Sequence, residues 1–381
     1  MNRLEQSGKK ILMIISSLQG GGAERVFVRL ASYLSSGNDV ILLPVFRCTT
    51  DYHIPEKVRI FVWNPSEADF VARWFNWRTI VCLFDRFVLR KDPYNLTYSL
   101  FLSRTSALVS RLRRKEKPDV VLSFLEVPNQ LNSESSRPGK TVMSERNNPL
   151  RKDGDYFDRM CEAYSRADKV IFQSKTVMDM FPESIRRKGV VLPNPIEVSC
   201  GAVGGSKRIV SIGRLHPQKN QTLLIRAFAR FSKDHPEHTL HIYGEGDLRA
   251  SLNSLIRDLA LEGKVFMEGY LPDVHKAVSD AQMFVLSSDY EGMPNCLLEA
   301  MMMGLPCVTT SFEGAGEFFG DTGSCLMVPL RDEEALASAM SRLADDEQLR
   351  KELSSRGVEL ADRYSVEKVI PLWEKELFCE L

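Results

Sequence analysis

The sequence has no long hydrophobic run. None of its apolar stretches approaches the roughly eighteen residues that a membrane-spanning helix needs. The apolar stretch Ile11–Ile15 follows two lysines and leads into GGGAER, where a signal peptide would have a small-residue cleavage site. We therefore interpret it as a buried strand and expect no signal peptide.

The sequence also lacks any regular cysteine pattern. Its eight cysteines are scattered, and none of them forms a C-x-x-C motif. This spacing argues against a zinc ribbon and against a disulfide framework. Scattered cysteines are typical of a protein in the reducing cytoplasm.

The chain has no net charge, but its charges are unevenly distributed. Residues 1–200 carry 31 Lys and Arg against 22 Asp and Glu, a balance of +9. Residues 201–381 carry 19 against 28, a balance of −9. A half this basic is suited to contact with an anionic surface, although an ordinary solvated surface explains the bias equally well.

Apolar, β-branched segments alternate with helical patterns along the chain. In the first half they lie at 10–16, 39–46, 119–124, 140–144, 169–172 and 190–192, and in the second at 208–212, 239–243, 264–267, 283–287, 306–309 and 325–328. Strands separated by helices predict parallel sheets with right-handed crossovers. We therefore predict an α/β protein with two Rossmann-like, doubly wound domains that face each other across a cleft.

A segment rich in Pro, Gly and small residues predicts the boundary between these domains. We expect an acceptor-side domain over 1–192, a linker over 193–206 and a nucleotide-sugar-binding domain over 207–364. Residues 365–381 are expected to form a helix that packs back on the first domain. Ligands of doubly wound domains bind beyond the carboxyl ends of the strands.

Three glycines, Gly20–Gly22, stand between the first predicted strand and an amphipathic helix. Bare backbone at a helix start favours a phosphate, a diphosphate or a carboxylate. The spacing does not match the G-x-G-x-x-G of dinucleotide sites, and the next strand ends in Arg47 instead of an acid. A purely structural tight turn is the alternative.

The second half has two stronger motifs. In VSIGRLHPQKN, Arg214 and Lys219 follow a strand, and this pair suits a pyrophosphate, although a surface ion pair is the alternative. In SSDYEGMPNCLLEA, Glu291 precedes a helix and Glu299 lies about five residues inside it, roughly 8 Å along the axis from the helix start. A helix start flanked by two carboxylates fits a nucleotide sugar, whereas an ordinary capped helix would explain the same spacing.

These motifs together resemble one family. GGAER, G-R-L-x-x-x-K-N, G-x-G-x-L and E-G-x-P-N-x-x-x-E-A-x-x-x-G-x-P are similar to the motifs of glycosyltransferase family 4, which are retaining enzymes of the GT-B fold. The resemblance spans essentially the whole chain. It is nearest to bacterial transferases that act on undecaprenyl-diphosphate-linked glycans.

The resemblance implies a role for particular residues. Arg214, Lys219 and Glu291 would be catalytic: the two cations would bind the donor diphosphate, and Glu291 would hold hydroxyls of the donor sugar. Glu299 would bind the ribose, and the base would lie near Gly269 and Tyr270. The remaining residues of the implied donor site are Gly21, Gly22, Gly213, Gly292 and Asn295.

The chain departs from the family pattern in the first half. Many relatives have a histidine near the reacting carbon, and this sequence has Arg146 there, which cannot act as a base near neutral pH. We expect Arg146 to bind a phosphate of the acceptor or leaving group. Glu145 is a candidate contact for the acceptor hydroxyl, with a structural salt bridge as the alternative. The DGD sequence at 153–155 lies in a polar loop, so we expect no metal and no other cofactor.

Residues 68–91 combine an aromatic stripe with arginines. Helical spacing aligns Phe70, Trp74, Trp77, Val81, Phe84 and Val88, with Arg73, Arg78, Arg86, Arg90 and Lys91 interleaved. This composition is typical of a helix in a bilayer interface, with plain core packing or a protein partner as alternatives. A polyprenyl-diphosphate-linked saccharide acceptor would explain the stripe and the basic half.

The sequence therefore predicts a metal-independent, retaining transferase. It would move a hexose or N-acetylhexosamine from a nucleotide sugar, with UDP favoured, to a lipid-linked saccharide in surface glycan assembly. We expect a cytoplasmic protein at the inner face of the membrane that binds no nucleic acid. A GT-B-like sugar-nucleotide epimerase and a non-catalytic subunit of a polysaccharide assembly complex are the alternatives.

Overall fold

The structure is a computed structural model that describes residues 8–19, 21–46, 50–63, 94–149, 155–320 and 322–379. It divides into two compact units. The first comprises Met1–Leu192 with Ile370–Leu381, and the second comprises Pro193–Val369. The last helix, Val366–Phe378, therefore contributes its residues from Ile370 onward to the first unit.

The described part of the first unit is built on a seven-stranded sheet whose paired strands are all parallel. Its order is β3-β2-β1-β4-β5-β6-β7. The strands are β1 (Lys10–Ile15), β2 (Asp39–Pro44), β3 (Arg59–Ile60), β4 (Val120–Phe124), β5 (Lys140–Ser144), β6 (Lys169–Phe172) and β7 (Gly189–Val191).

Helices of the first unit connect these strands. They span Gly22–Leu34, Tyr94–Glu116, Glu126–Glu134, Tyr156–Ser165, Lys175–Asp179 and Glu183–Arg186. The helix Gly22–Leu34 turns an apolar face to the sheet, and its Phe27 packs edge-on against Phe124 with ring centroids 5.1 Å apart. Trp373 of the last helix is completely buried and contacts the same Phe124 ring at 5.9 Å.

The second unit contains a six-stranded sheet in the order β10-β9-β8-β11-β12-β13, again with parallel pairs throughout the described residues. Its strands are β8 (Arg208–Ile212), β9 (Thr239–Tyr243), β10 (Val265–Gly269), β11 (Met283–Leu286), β12 (Cys307–Thr310) and β13 (Leu326–Val328).

Three α-helices of the second unit begin at residues whose side chains cap them. Asn220 accepts a hydrogen bond from Leu223 N at 3.2 Å and starts the next helix, and Asp332 and Asp346 cap two later helices in the same way. The helices span Gln221–Asp234, Arg249–Asp258, Val274–Val278, Asn295–Met303, Ala315–Phe318, Glu333–Asp345 and Glu347–Ala361, with short 3₁₀ turns at Pro217–Lys219 and Asp362–Tyr364.

The α/β fold class predicted from the sequence is confirmed. The central strands are almost entirely buried, as parallel sheets covered on both faces require. The sequence analysis missed β3, because its two half-exposed residues carry no apolar run. No helix in the described residues combines the length and the apolar character that crossing a membrane requires.

Candidate functional site

The site in the second unit is built on two loops that follow neighbouring strands. β8 and β11 pair directly, with Ile209 opposite Met283. Loop 213–220 leaves the carboxyl end of β8, and loop 287–294 leaves the carboxyl end of β11. Parallel strands end at the same edge of a sheet, so the two loops lie side by side where doubly wound domains bind their ligands.

Hydrogen bonds hold these two loops together. Asp289 N donates to Gln218 O at 2.8 Å, and Gln218 Nε2 donates to Tyr290 O at 2.8 Å. Ser287 Oγ donates to Lys219 O at 2.9 Å. Because these bonds involve the backbone of both loops, the side chains that the loops carry are held in a fixed relation.

A buried ion pair lies at the centre of this arrangement. Lys219 Nζ lies 2.6 Å from Glu291 Oε1, and the Glu291 side chain is 6% exposed. Glu291 also accepts from Ser288 Oγ at 2.5 Å and from Gln218 Nε2 at 3.3 Å. Burial lowers the pKa of Lys219, but the charge of Glu291, the charge of Cys296 and the hydrogen bond to Glu291 together outweigh it and raise that pKa above the usual value. Lys219 is therefore a permanent cation at neutral pH.

Arg214 differs from Lys219 in its surroundings. It is exposed, and its side chain makes no hydrogen bond or ion pair to any residue that the structure describes. Its positive charge acts on Lys219 and opposes the rise in that pKa, which places the two cations in electrostatic contact. The loop thus carries one neutralised cation and one that is open to an anionic ligand.

The glycines of the G-x-G-x-L motif have a structural purpose. A Cβ on Gly244, whose φ is +142°, would lie 2.0 Å from Gly213 O. A Cβ on Gly246 would lie 2.3 Å from Leu215 O. Only glycine lets the 244–248 loop approach the backbone around Arg214 so closely. At Gly213 itself, the Lys219 side chain passes 3.3 Å from the Cβ position.

Glu299 is placed in the helix Asn295–Met303, as the sequence predicts, and is 1% exposed. Its Oε2 lies 3.5 Å from Nε2 of His275. Ser199 N donates to Nδ1 of His275 at 3.2 Å, so the neutral ring carries its proton on Nε2, facing Glu299. This Nε2 makes no hydrogen bond to a described residue, so the imidazole lies beside the Glu299 carboxylate without binding it.

The other predicted donor residues lie in the loops around this helix. Asn295 accepts a hydrogen bond from Asn194 Nδ2 at 2.7 Å, and Gly292 lies in the 287–294 loop. Gly269 ends β10 with a φ of +81°, and Tyr270 beside it is 49% exposed. The predicted residues of the second half thus lie at the carboxyl ends of β8, β10 and β11 and in the helix Asn295–Met303 that follows β11.

In the first unit, Gly21 and Gly22 form the start of the helix Gly22–Leu34. The carboxylate of Glu24 folds back over Gly21, where a Cβ would lie 1.8 Å from Glu24 Oε2. Tyr52 donates its hydroxyl to Gly21 O at 2.8 Å. The carboxylate of Glu24 therefore lies at the helix start, where the sequence predicts an anionic ligand.

Glu145 has all of its hydrogen-bonding capacity engaged inside the first unit. Its Oε1 accepts from Arg146 N at 2.8 Å and Asn147 N at 2.9 Å, and both oxygens accept from the Tyr156 hydroxyl. Oε2 also accepts from the Tyr164 hydroxyl at 3.0 Å. Burial raises the pKa of Glu145. This geometry favours the structural alternative for Glu145 over contact with an acceptor hydroxyl, although the partners are tyrosines and backbone groups instead of a salt bridge.

Arg146 lies against an aromatic ring. Its guanidinium carbon is 4.2 Å from the centroid of Phe124, and Nη1 donates to Ser144 Oγ at 3.3 Å. Burial lowers the pKa of Arg146 to about 9, while the nearby carboxylates of Glu145 and Glu24 act in the opposite direction. The residue is held as a buried cation at the end of β5.

Arg113 of the basic segment 111–117 is completely buried and donates to Asn132, Ser135 and the carbonyl of Pro138, so it is structural. The aromatic stripe 68–91 lies outside the described residues, as does most of the DGD segment.

The sequence analysis missed three contributors to the site. Gln218 and Ser288 bind Glu291, and His275 faces Glu299. Gln218 and Ser288 lie within the two quoted motifs, so their proximity to the predicted residues was the available signal. His275 lies in the short helix Val274–Val278, and nothing in its local sequence points to Glu299.

Comparison with known proteins decides the class. Residues 197–359 match the family model described as glycosyl transferases group 1. These residues include both loops and the pair Lys219–Glu291. The chain is a glycosyltransferase. The predicted resemblance to glycosyltransferases and the predicted transferase class are confirmed.

Relatives and solved structures extend the similarity to the whole chain. A Campylobacter jejuni N-acetylgalactosamine-N,N'-diacetylbacillosaminyl-diphospho-undecaprenol 4-alpha-N-acetylgalactosaminyltransferase is 28% identical, over 95% of this chain and 97% of its own. A second Campylobacter jejuni alpha-1,4-N-acetyl-D-galactosaminyltransferase, named for a diNAcBac-PP-undecaprenol substrate, is 26% identical over 96% and 97%. The crystal structure of Anabaena HepE in complex with UDP-glucose superposes with a TM-score of 0.76 at 17% identity, over 97% and 99%. The fold of this glycosyltransferase is therefore GT-B.

Proposed function

We propose that this glycosyltransferase moves a hexose or N-acetylhexosamine from a UDP-sugar to a lipid-linked saccharide, with retention of the anomeric configuration. The observation that carries the proposal is the pair Lys219–Glu291, held between two strand-end loops beside the open cation Arg214. This arrangement suits a nucleoside diphosphate leaving group.

The chemistry follows from the charges of the loops. As the glycosidic bond of the donor breaks, negative charge grows on the diphosphate oxygens, and fixed cations there lower the barrier. Arg214 offers a planar fork of donors, and Lys219 adds a cation whose protonation is secured by Glu291. We therefore propose that these two residues take the part that a metal ion plays in other transferases.

Glu291 is poorly suited to covalent catalysis in this arrangement. One of its oxygens is engaged by Lys219 and Ser288, and the other by Gln218. A carboxylate nucleophile for a double displacement would need a free oxygen near the anomeric carbon. We propose instead that the acceptor hydroxyl attacks the anomeric carbon on the same face from which the diphosphate leaves. The departing phosphate then takes the proton of that hydroxyl.

The acceptor class rests on the relatives. Two transferases similar over nearly the whole chain are named for undecaprenyl-diphosphate-linked substrates, and the UDP-glucose complex of the Anabaena protein supports a UDP donor. We propose that Arg146 binds a phosphate of such an acceptor. We further propose that residues 68–91 dock on the membrane at its inner face.

The donor and acceptor are tested in one assay. The full-length protein is incubated with a panel of UDP- and GDP-sugars, and nucleotide release is followed with and without a polyprenyl-diphosphate-linked saccharide. We expect one UDP-sugar to be used, with release accelerated by the acceptor. Release from GDP-sugars alone, or release that ignores the acceptor, would contradict the proposal.

Membrane docking is tested with vesicles. Changing Arg73, Arg78, Arg86 and Arg90 together to Gln should weaken binding to anionic vesicles by about 1 kcal/mol per charge near the surface. High salt should weaken binding of the parent protein in the same direction. Vesicle binding that is indifferent to salt and to all four substitutions would leave the stripe as core packing.

A further inference from the structure

A cluster of metal-ligating side chains lies apart from the donor loops. The turn between the helix Gln221–Asp234 and β9 has the sequence His-Pro-Glu-His, and the ligand atoms of His235, Glu237 and His238 lie within 4.8 Å of one another. His238 N donates to His235 O at 3.2 Å, which closes the turn and brings the two rings to the same side.

His238 presents a nitrogen lone pair to this cluster. Its side chain is buried, and Nε2 lies 2.8 Å from Gln282 Oε1. Because an amide oxygen only accepts, Nε2 carries the ring proton and Nδ1 is left as an acceptor. Nδ1 is buried and has no hydrogen-bond partner among the described residues. A metal-binding histidine usually donates its other ring N–H to a second polar group, which fixes the tautomer. Gln282 is such a group for His238.

The spacing of the other groups fits a tetrahedral ion. His238 Nδ1 lies 3.4 Å from Glu237 Oε1. Two ligands at bond lengths near 2.0–2.1 Å from a tetrahedral zinc ion are about 3.3 Å apart. His235 is held by stacking on Phe231, with ring centroids 4.4 Å apart, and its Nδ1 lies 3.8 Å from Asp345 Oδ1.

We propose that His235, Glu237 and His238 bind a divalent transition ion of the zinc class. Two imidazoles and a carboxylate are ligands that zinc, cobalt and nickel prefer, whereas magnesium and calcium prefer oxygen ligands. Lys207 Nζ lies 2.8 Å from Glu237 Oε1, so this ammonium competes with the ion for the same oxygen.

The location predicts a structural ion. The cluster precedes β9, and Gln282 precedes β11, so it lies at the amino-terminal edge of the second sheet. The donor loops follow the carboxyl ends of β8 and β11, at the opposite edge. An ion here fastens the turn between the helix Gln221–Asp234 and β9. We therefore expect occupancy to change the thermal stability of the protein and to leave sugar transfer unchanged.

The test is a Co²⁺ titration of full-length, tag-free protein that has been stripped with a chelator. We expect one equivalent of Co²⁺ to bind with the strong visible absorption of a four-coordinate ion, to be displaced by Zn²⁺, and to raise Tm. Glu237→Gln and His238→Gln should each weaken binding at least about tenfold, and His53→Gln, an exposed histidine of the first unit, should bind as the parent does.

Lys207→Gln sharpens the test, because removing the competing ammonium should tighten binding several-fold. If His238→Gln does not fold, the comparison is made with Glu237→Gln alone, because Glu237 is exposed. Absence of a bound equivalent in the parent at tenfold excess Co²⁺ would overturn the proposal. Binding by Glu237→Gln with the affinity of the parent would overturn it as well. Since sugar transfer is measured separately, failure of this proposal leaves the transferase function untouched.

Discussion

The two units use the same kinds of side chain at strand ends in opposite ways. In the second unit, Lys219 and Glu291 neutralise each other and leave Arg214 exposed. In the first unit, Glu145 is covered by two tyrosine hydroxyls and two backbone N–H groups, and Arg146 lies buried against Phe124. A charged residue after a strand is therefore not evidence of a ligand site until its partners are known.

This difference also determines whether a substitution measures ligand binding or the stability of the fold. Removing an exposed cation such as Arg214 leaves no buried group without a partner, so its substitution reports on the ligand. Removing Glu145 strands several buried donors, so its substitution reports first on the fold. The predictions below follow this division, beginning with the largest effect.

The largest effect is expected at the cations of the second unit. Arg214→Ala should lower turnover by more than about a hundredfold, equivalent to roughly 3 kcal/mol of transition-state stabilisation, with an unchanged Tm. Lys219→Ala should lower turnover as much, and it should also lower Tm because Glu291 is left as an unpaired buried charge. Near-full turnover in both variants on the best donor would remove the diphosphate role.

A smaller effect is expected at Gly246, where glycine lets the 244–248 loop approach the backbone around Arg214. Gly246→Ala places a Cβ 2.3 Å from Leu215 O, so the backbone beside Arg214 must shift. We expect turnover to fall about tenfold, since shifts of this size misalign catalytic groups. Gly316→Ala is the matched control, because a Cβ there meets no atom within 4 Å. Equal turnover in the two variants would show that the close approach is irrelevant to the site.

The smallest effect is expected from Glu145 as a function of pH. Burial raises its native pKa, so above the unfolded value of about 4.3 the native state holds a proton that the unfolded state has lost. This contribution to stability is complete below that pH and is lost as pH rises through the native pKa. Glu145→Gln lacks it.

Urea unfolding of parent and Glu145→Gln across pH 4 to 8 measures the difference. The free energy of unfolding of the parent should fall relative to that of the variant as pH rises, by about 1.4 kcal/mol for each unit of pKa shift. Parallel curves would mean that Glu145 titrates normally.

The positions of the strands along the chain could be read from the sequence because burial on both faces of a parallel sheet leaves continuous apolar runs. Each of the twelve strand segments expected from such runs corresponds to a strand of the structure, whereas Arg59–Ile60 has no apolar run and was missed. Arg214, Lys219, Glu291 and Glu299 could be singled out as candidates because each lies in a motif local to one strand-end segment, and their roles stay a prediction.

The partners of these residues could not be read in the same way. His275 meets Glu299 only because two separate chain segments pack together, and Tyr164 reaches Glu145 from the far end of its helix. Such contacts depend on tertiary packing, which no local pattern records. The tyrosine partners of Glu145 and the buried position of Arg113 therefore became visible only in the structure.

The most direct test of the diphosphate site is the affinity of the protein for UDP relative to uridine, measured by calorimetry in the parent and in Arg214→Ala. A site built on Arg214 and Lys219 should bind UDP at least about a hundredfold more tightly than uridine, because charge-assisted hydrogen bonds to phosphate are strong. Arg214→Ala should lose most of this preference and retain the affinity for uridine. Equal affinities of the parent for UDP and uridine, or an unchanged ratio in Arg214→Ala, would contradict the assignment.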